Sequence, residues 1–154
     1  MKKKSAGILL YRVIDSELEV LLVHPGGPFW SEKDLGSWSI PKGEFSDNET
    51  PLEAAKREFQ EETGIALTGD FIELKPVIQK GGKTVFCFAC EGDIDPKTIK
   101  SNTFEIEWPP KSERTASFPE IDRGEWFNIE QAKLKINGSQ AALIDELIGK
   151  LKNT

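Results

Sequence analysis

The pattern of apolar and polar positions marks out most of the elements. Ala6–Val13 and Leu18–Val23 are apolar runs rich in Leu, Ile and Val, separated by the turn-like Ile14-Asp-Ser-Glu17, and they predict two strands of a hairpin. Pro25 to Gly36 is a Gly/Pro-rich loop carrying Phe29 and Trp30. Trp38-Ser-Ile40 predicts a short strand stopped by Pro41, and Lys42–Asn48 a loop. A helix is predicted over Pro51–Thr63: Thr50 is the N-cap, Pro51 the first helical residue, Glu53 completes a capping box and Gly64 is the stop. Beyond it, Phe71–Gln79 and Lys83–Glu91 predict strands joined at Lys80-Gly81-Gly82. Thr103–Trp108 alternates, and Trp126-Phe127 ends a further strand. Leu143, Leu147, Ile148 and Leu151 form a helical stripe within Leu134–Lys152. Strands, one helix, more strands and a terminal helix predict a single α/β domain over 1–154, with a mixed sheet between helices and not a run of βαβ units.

Composition narrows the function classes. The 154 residues are 38% hydrophobic, enough for a sizeable core. Twenty basic against 26 acidic residues leave a net charge of −6, which argues against a nucleic-acid polymer or an anionic membrane as partner. A polyanionic ligand remains compatible if a divalent cation reverses the local sign. The apolar run after Met1-Lys2-Lys3-Lys4 is broken at Tyr11 and Arg12, too early for a signal peptide, so a soluble, cytoplasmic protein is expected. Cys87 and Cys90 have C-x-x-C spacing, but strand alternation sends them to opposite faces and predicts two buried reduced thiols.

The chemistry lies on the first helix. At about 100° per residue Leu52, Ala55 and Phe59 share a narrow apolar face, and Glu58, Glu61 and Glu62 fall within an arc of about 100° beside it, with Ala54 leaving space among them. Three like charges so close repel, and a bound cation relieves the repulsion. Carboxylate and backbone carbonyl oxygens suit Mg²⁺ or Mn²⁺. A solvated acidic face is the plainer reading of such a run taken alone. The surrounding pattern decides against it: G-x5-E-x7-R-E-apolar-x-E-E-x-G-apolar is met at all nine specified positions, Gly43, Glu49, Arg57, Glu58, Phe59, Glu61, Glu62, Gly64 and Ile65.

This is the Nudix box, and the chain resembles a Nudix hydrolase over nearly all its length. The resemblance implies an α/β/α sandwich and hydrolysis of a diphosphate linkage in a nucleoside diphosphate derivative, with water attacking phosphorus in a metal-dependent reaction. It implies that Glu61 and Glu62 ligate metal with the carbonyl of Gly43, and that Glu58 ligates metal, accepts the proton of the attacking water, or both. Arg57 joins the catalytic set as a brace, paired with Glu49. Glu120, in the run before Trp126, matches an extra glutamate that many members use as base or further ligand. Lys42 sits where an ammonium meets phosphate, and Trp30 is the stacking candidate for a base. His24, the sole histidine, reads as a polar contact and not as a base. The lead-in Trp38-Ser-Ile-Pro-Lys-Gly43 is similar to that of the dinucleoside polyphosphate hydrolase branch, so such substrates are expected first and (deoxy)nucleoside triphosphates second. Where that branch often has a tyrosine beyond the box, this chain has Gly81, Gly82 and Lys83, and the proline of ADP-ribose hydrolases is absent. The rival reading is a Nudix-fold module that binds a nucleotide without cleaving it. Such modules usually have eroded boxes, and this box is intact.

Overall fold

The structure, a computed structural model, describes residues 3–152; Met1, Lys2, Asn153 and Thr154, included in the single-domain expectation, lie outside the described residues. Among the described residues, nine strands and three α-helices follow in the order β1 (Lys4–Ile14), β2 (Glu17–Pro25), β3 (Lys42–Glu44), α1 (Pro51–Thr63), β4 (Phe71–Glu73), β5 (Val77–Ile78), β6 (Thr84–Glu91), β7 (Thr103–Glu107), β8 (Thr115–Pro119), β9 (Ile121–Asn128), α2 (Ile129–Lys135) and α3 (Ala141–Lys152).

β1 is central because its run is apolar on both faces. It pairs in parallel with β6 and antiparallel with β2 and β3, giving a mixed sheet ordered β4-β6-β1-β2-β9, with β3 on β1 and β5 on β6. Alternation divides its side chains. Ala6, Ile8 and Leu10 meet Ala54, Ala55 and Phe59 of α1, whereas Leu9 and Tyr11 join Val20, Leu22, Ala132, Leu143, Ile144 and Leu147 on the other face. The expected α/β/α sandwich is therefore present, and Cys87 and Cys90 lie buried and free in opposite layers. α1 has the expected ends. Thr50 Oγ1 accepts from the Glu53 amide at 3.2 Å, Glu53 Oε1 accepts from the Thr50 amide at 3.0 Å, and the Gly64 amide donates to the Gln60 carbonyl at 2.7 Å.

Several boundaries differ, each for a physical reason. Trp38-Ser-Ile40 makes only isolated bridges, to Val23 and Ile136, because it lies between the turn at Gly36 and Pro41. Lys42–Glu44, expected as loop, is β3: β1 supplies partners on both sides of it, through Ile8 N–H to the Pro41 carbonyl and Phe45 N–H to the Lys4 carbonyl. Phe71–Gln79 is split at Leu74–Pro76, where proline has no amide for the ladder and the Lys75 amide donates to Glu146 instead. The terminal helical region starts earlier, at Ile129 under an Asn128 cap, and breaks at Ile136-Asn137 before a 3₁₀ turn leads into α3. β8 carries too few apolar residues to signal itself and is formed by pairing with β7.

Candidate active site

The box helix is tied to β3 at its carboxylate end. Gly43 packs so closely on Glu58 that a Cβ built on it would stand 1.9 Å from Glu58 Oε2. With Glu58 in this position glycine leaves the room, and it brings backbone and carboxylate into one cradle. Next to it, the Lys42 amide donates to Glu62 Oε1 at 3.0 Å. Arg57 is the hub of the acidic cluster. Its Nε and Nη2 grip both oxygens of Glu49 at 2.7 and 2.8 Å, and Nη1 donates to Glu58 at 2.8 Å and to Glu61 at 3.0 Å. The fork geometry suits a two-oxygen grip, which ties the loop bearing Glu49 to the helix.

Charge in this cluster is under strain. Burial pushes the Glu62 carboxyl up to about 8, opposed by the Lys42 amide and reinforced by Glu58 and Glu120. Glu58 is pushed up as well, first by burial, while Arg57 pulls it back and Glu61 and Glu120 add repulsion. Burial lowers the Lys42 ammonium, with Lys83 adding repulsion. Arg57 is held above its ordinary range, Glu49 being the largest cause. Glu49 is held below the usual carboxylate range by the same pair.

Lys42, Glu62 and Glu120 line one cavity of about 190 Å³, with Val23, Pro25, Ser39, Ile40 and Ile121 as the rest of its wall. Glu120 reaches it because its amide donates to Asn102 at 2.9 Å and its carbonyl accepts from Gly26 at 2.8 Å, locking the start of β9 against the end of β2. Larger hollows, of about 240, 340, 630 and 640 Å³, are lined by no residue of 43–65. Trp30 does not line the carboxylate cavity; it is 41% exposed, with the Lys33 ammonium 5.1 Å from its ring centre. His24 is fully buried as a polar contact, its Nδ1 2.9 Å from Asp122 and its Nε2 2.6 Å from the Lys33 carbonyl. The sequence gives no sign of one further support. Gln140 is buried and, through its side chain, accepts from the Ile40 amide and donates to Ser39, holding that wall from the far end of the chain.

The donor set fits a hard divalent cation: carboxylate oxygens on α1 lie beside the backbone of Gly43, in a cradle that any side chain there would fill. Among the described residues, no three acidic, histidine or cysteine side chains converge on one point. Arg57 draws Glu58 and Glu61 aside, and Glu62 turns to the Lys42 amide. No described helix is long and apolar enough to cross a membrane.

The chain is similar to several known proteins. A Bifidobacterium longum nucleoside triphosphate pyrophosphatase/Nudix hydrolase fusion protein is 34% identical over 115 residues, 69% of this chain and 23% of that protein. The mRNA-decapping protein g5R of African swine fever virus (isolate Warthog/Namibia/Wart80/1980) is 30% identical over 73% of this chain and 45% of its own length. The chain thus spans from under a quarter to less than half of these relatives. An Ap4A hydrolase from C. elegans shares the fold with a TM-score of 0.66 at 21% identity, over 99% of both chains. The NUDIX domain of Shewanella oneidensis NrtR, in complex with ADP ribose, does so with a TM-score of 0.67 at 17% identity, over 98% of this chain and 89% of that one. The family model of the NUDIX domain matches residues 1–147, and the chain belongs to the NUDIX family.

Proposed function

We propose that the chain, acting as one domain, hydrolyses a diphosphate linkage in a nucleotide derivative, with water attacking phosphorus and with Mg²⁺ or Mn²⁺ as the cofactor. The observation that carries this reading is the meeting of Lys42, Glu62 and Glu120 around one cavity, with Glu58 locked against Gly43 beside it. Glu58, Glu61, Glu62 and the Gly43 carbonyl would hold the cation. When bound, it neutralises phosphate oxygens and makes water a better nucleophile. Glu58, desolvated and only 12% exposed, is the group to take the proton of the attacking water. Lys42 presents an ammonium to the phosphates from the cavity wall, and Glu120 is the second acid across it. Arg57 does not react; it fixes where Glu58 and Glu61 stand. The net charge of −6 is no obstacle, because the cation and Lys42 set the local sign.

Dinucleoside polyphosphates are the first substrate class and (deoxy)nucleoside triphosphates the second. Support comes from the Trp38–Gly43 lead-in and from the likeness in fold to an Ap4A hydrolase along the whole chain. A stretch of 47 residues that is 43% identical to the RNA pyrophosphohydrolase of Xylella fastidiosa agrees with diphosphate chemistry. The two buried, unpaired thiols agree with a cytoplasmic address. The test is a panel of nucleotides assayed with Mg²⁺ or Mn²⁺ in ¹⁸O-labelled water. Diadenosine tetraphosphate should be cleaved faster than nucleoside triphosphates, with the label in a phosphate product. Tight binding of one nucleotide with no turnover of any would establish the sensing module instead. Faster cleavage of an oxidised deoxynucleoside triphosphate would reverse the substrate order.

A further inference from the structure

His24 is the sole histidine of the chain, and both of its ring nitrogens meet acceptors inside the fold. Nδ1 stands 2.9 and 3.1 Å from the two carboxylate oxygens of Asp122, and Nε2 stands 2.6 Å from the Lys33 carbonyl. A carbonyl has no proton to give, so Nε2 is the donor there. A carboxylate accepts as well, so Nδ1 donates too. A ring that donates from both nitrogens is an imidazolium, and the carboxylate beside it makes a buried cation tolerable. Imidazole is the more basic of the two groups, so the shared proton belongs to the ring. Arg123 of β9 stands 3.8 Å from Asp122 and lies over Trp38, whose ring centre is 5.1 Å from that of His24. Asp34 accepts from the Trp38 indole and from Lys135, and the Lys33 ammonium lies over Trp30.

The position of this pair is what gives it a use. The β2–β9 ladder shifts register between His24 and Pro25, so backbone pairing is irregular there. Val23 and Pro25, on either side of His24, line the carboxylate cavity, and so do Glu120 and Ile121, the two residues before Asp122. The His24–Asp122 bond therefore lies directly behind that wall and joins its two strands where the ladder is interrupted. The Nε2 bond fastens the loop that follows β2. That loop opens with Gly26, whose amide donates to the Glu120 carbonyl, and comes back to the ring at Lys33.

We infer that His24 is a positioning residue, whose imidazolium ties β2, β9 and the loop to Lys33 together and so holds Glu120 and the cavity wall in place. Its part in catalysis rests on the hydrolase reading, whereas the clamp itself does not. Raising the pH removes one ring proton, and a neutral ring has one N–H for two acceptors. The charge-assisted bond to Asp122 outlasts the bond to a carbonyl. The bare Nε2 then faces the Lys33 oxygen lone pair to lone pair, and the loop is released. The grip is present at low pH and lost as pH rises.

The test is an NMR titration in Mg²⁺ from about pH 5 to about pH 9, the range that brackets histidine chemistry. A single imidazole gives unambiguous ring ¹⁵N signals, which separate the imidazolium from either neutral form. Amide exchange at Gly26, Trp30 and Lys33, corrected for its intrinsic pH dependence, reports the loop. Protection of these amides should fall about tenfold, the contribution of one hydrogen bond to a charged group, as the ring loses its second proton. Asp122→Asn should move both changes to lower pH together. His24→Gln keeps a donor that does not titrate, so its loop should be held alike at every pH. In the wild type, kcat/KM for diadenosine tetraphosphate should fall along with loop protection, and His24→Gln should lack that fall. Should a variant not fold, the wild-type titration decides alone. A ring that never carries two protons, or that titrates with no change in loop exchange, overturns the clamp. A clamp that titrates while kcat/KM does not follow overturns the positioning role. If ring and loop titrate together but no nucleotide is turned over at any pH, the hydrolase reading fails and the clamp stands.

Discussion

Glu62 sets the behaviour of the site at the scale of single residues. Its folded-state pKa of about 8 lies above the ordinary 4.5, so between those values the folded metal-free protein holds a proton that the unfolded chain releases. Stability from this group is therefore fully present below about pH 4.5, declines as pH rises, and is gone above about pH 8. Thermal melts of the metal-free protein should fall across that window, and Glu62→Gln should flatten the fall. A divalent cation replaces the proton, so Mg²⁺ should raise the melting temperature more at pH 8 than at pH 5. An equal gain at both values would count against Glu62 as a ligand. Glu61→Gln and Glu62→Gln should mainly raise the Mg²⁺ concentration needed for activity, with partial recovery at high Mg²⁺ in a metal titration.

Among the elements, α1 and the loop before it form one mechanical unit. Arg57→Ala removes the grip on Glu49 and the contacts to Glu58 and Glu61 together, so melting temperature and activity should fall in parallel. A full melting temperature with lost activity would make Arg57 part of the chemistry and not a brace. Thr50→Ala removes the capping box at the other end of the helix and should cost about 1 kcal/mol in denaturant unfolding, with kcat little changed. These features were legible in the sequence because they are local: the caps, the Arg57–Glu49 spacing and the glutamate arc all lie within one helix and its lead-in. What was not legible depends on distant partners. β3 exists because β1 offers it a ladder, and the break at Ile136 is fixed by Trp38, almost a hundred residues earlier. β8 shows no run of its own, and its strand state comes from β7.

For the whole molecule, a two-faced sheet carries one acidic cluster at the junction of β2, β3, α1 and β9. The sequence named Glu58, Glu61, Glu62, Gly43, Lys42 and Glu120 for this place. Glu120 was the hardest of them to place, because a backbone bond from Gly26 positions it and not a spacing rule. The cavity wall from Val23, Ser39 and Ile40, and the buried Gln140 behind it, left no trace in the sequence because their roles arise only on folding. The proposed hydrolysis rests on this cluster. Its most direct test is the kcat of Glu58→Gln on diadenosine tetraphosphate with Mg²⁺, measured beside the wild type and with a melt of the same preparation. The substitution keeps shape and an acceptor oxygen, but removes the basicity and one of the repelling charges. Glu58→Gln should lose at least ~10²-fold in kcat with a melting temperature no lower than wild type. A well-folded Glu58→Gln protein with near-wild-type kcat would contradict it and move the base elsewhere, with Glu120 the next to test.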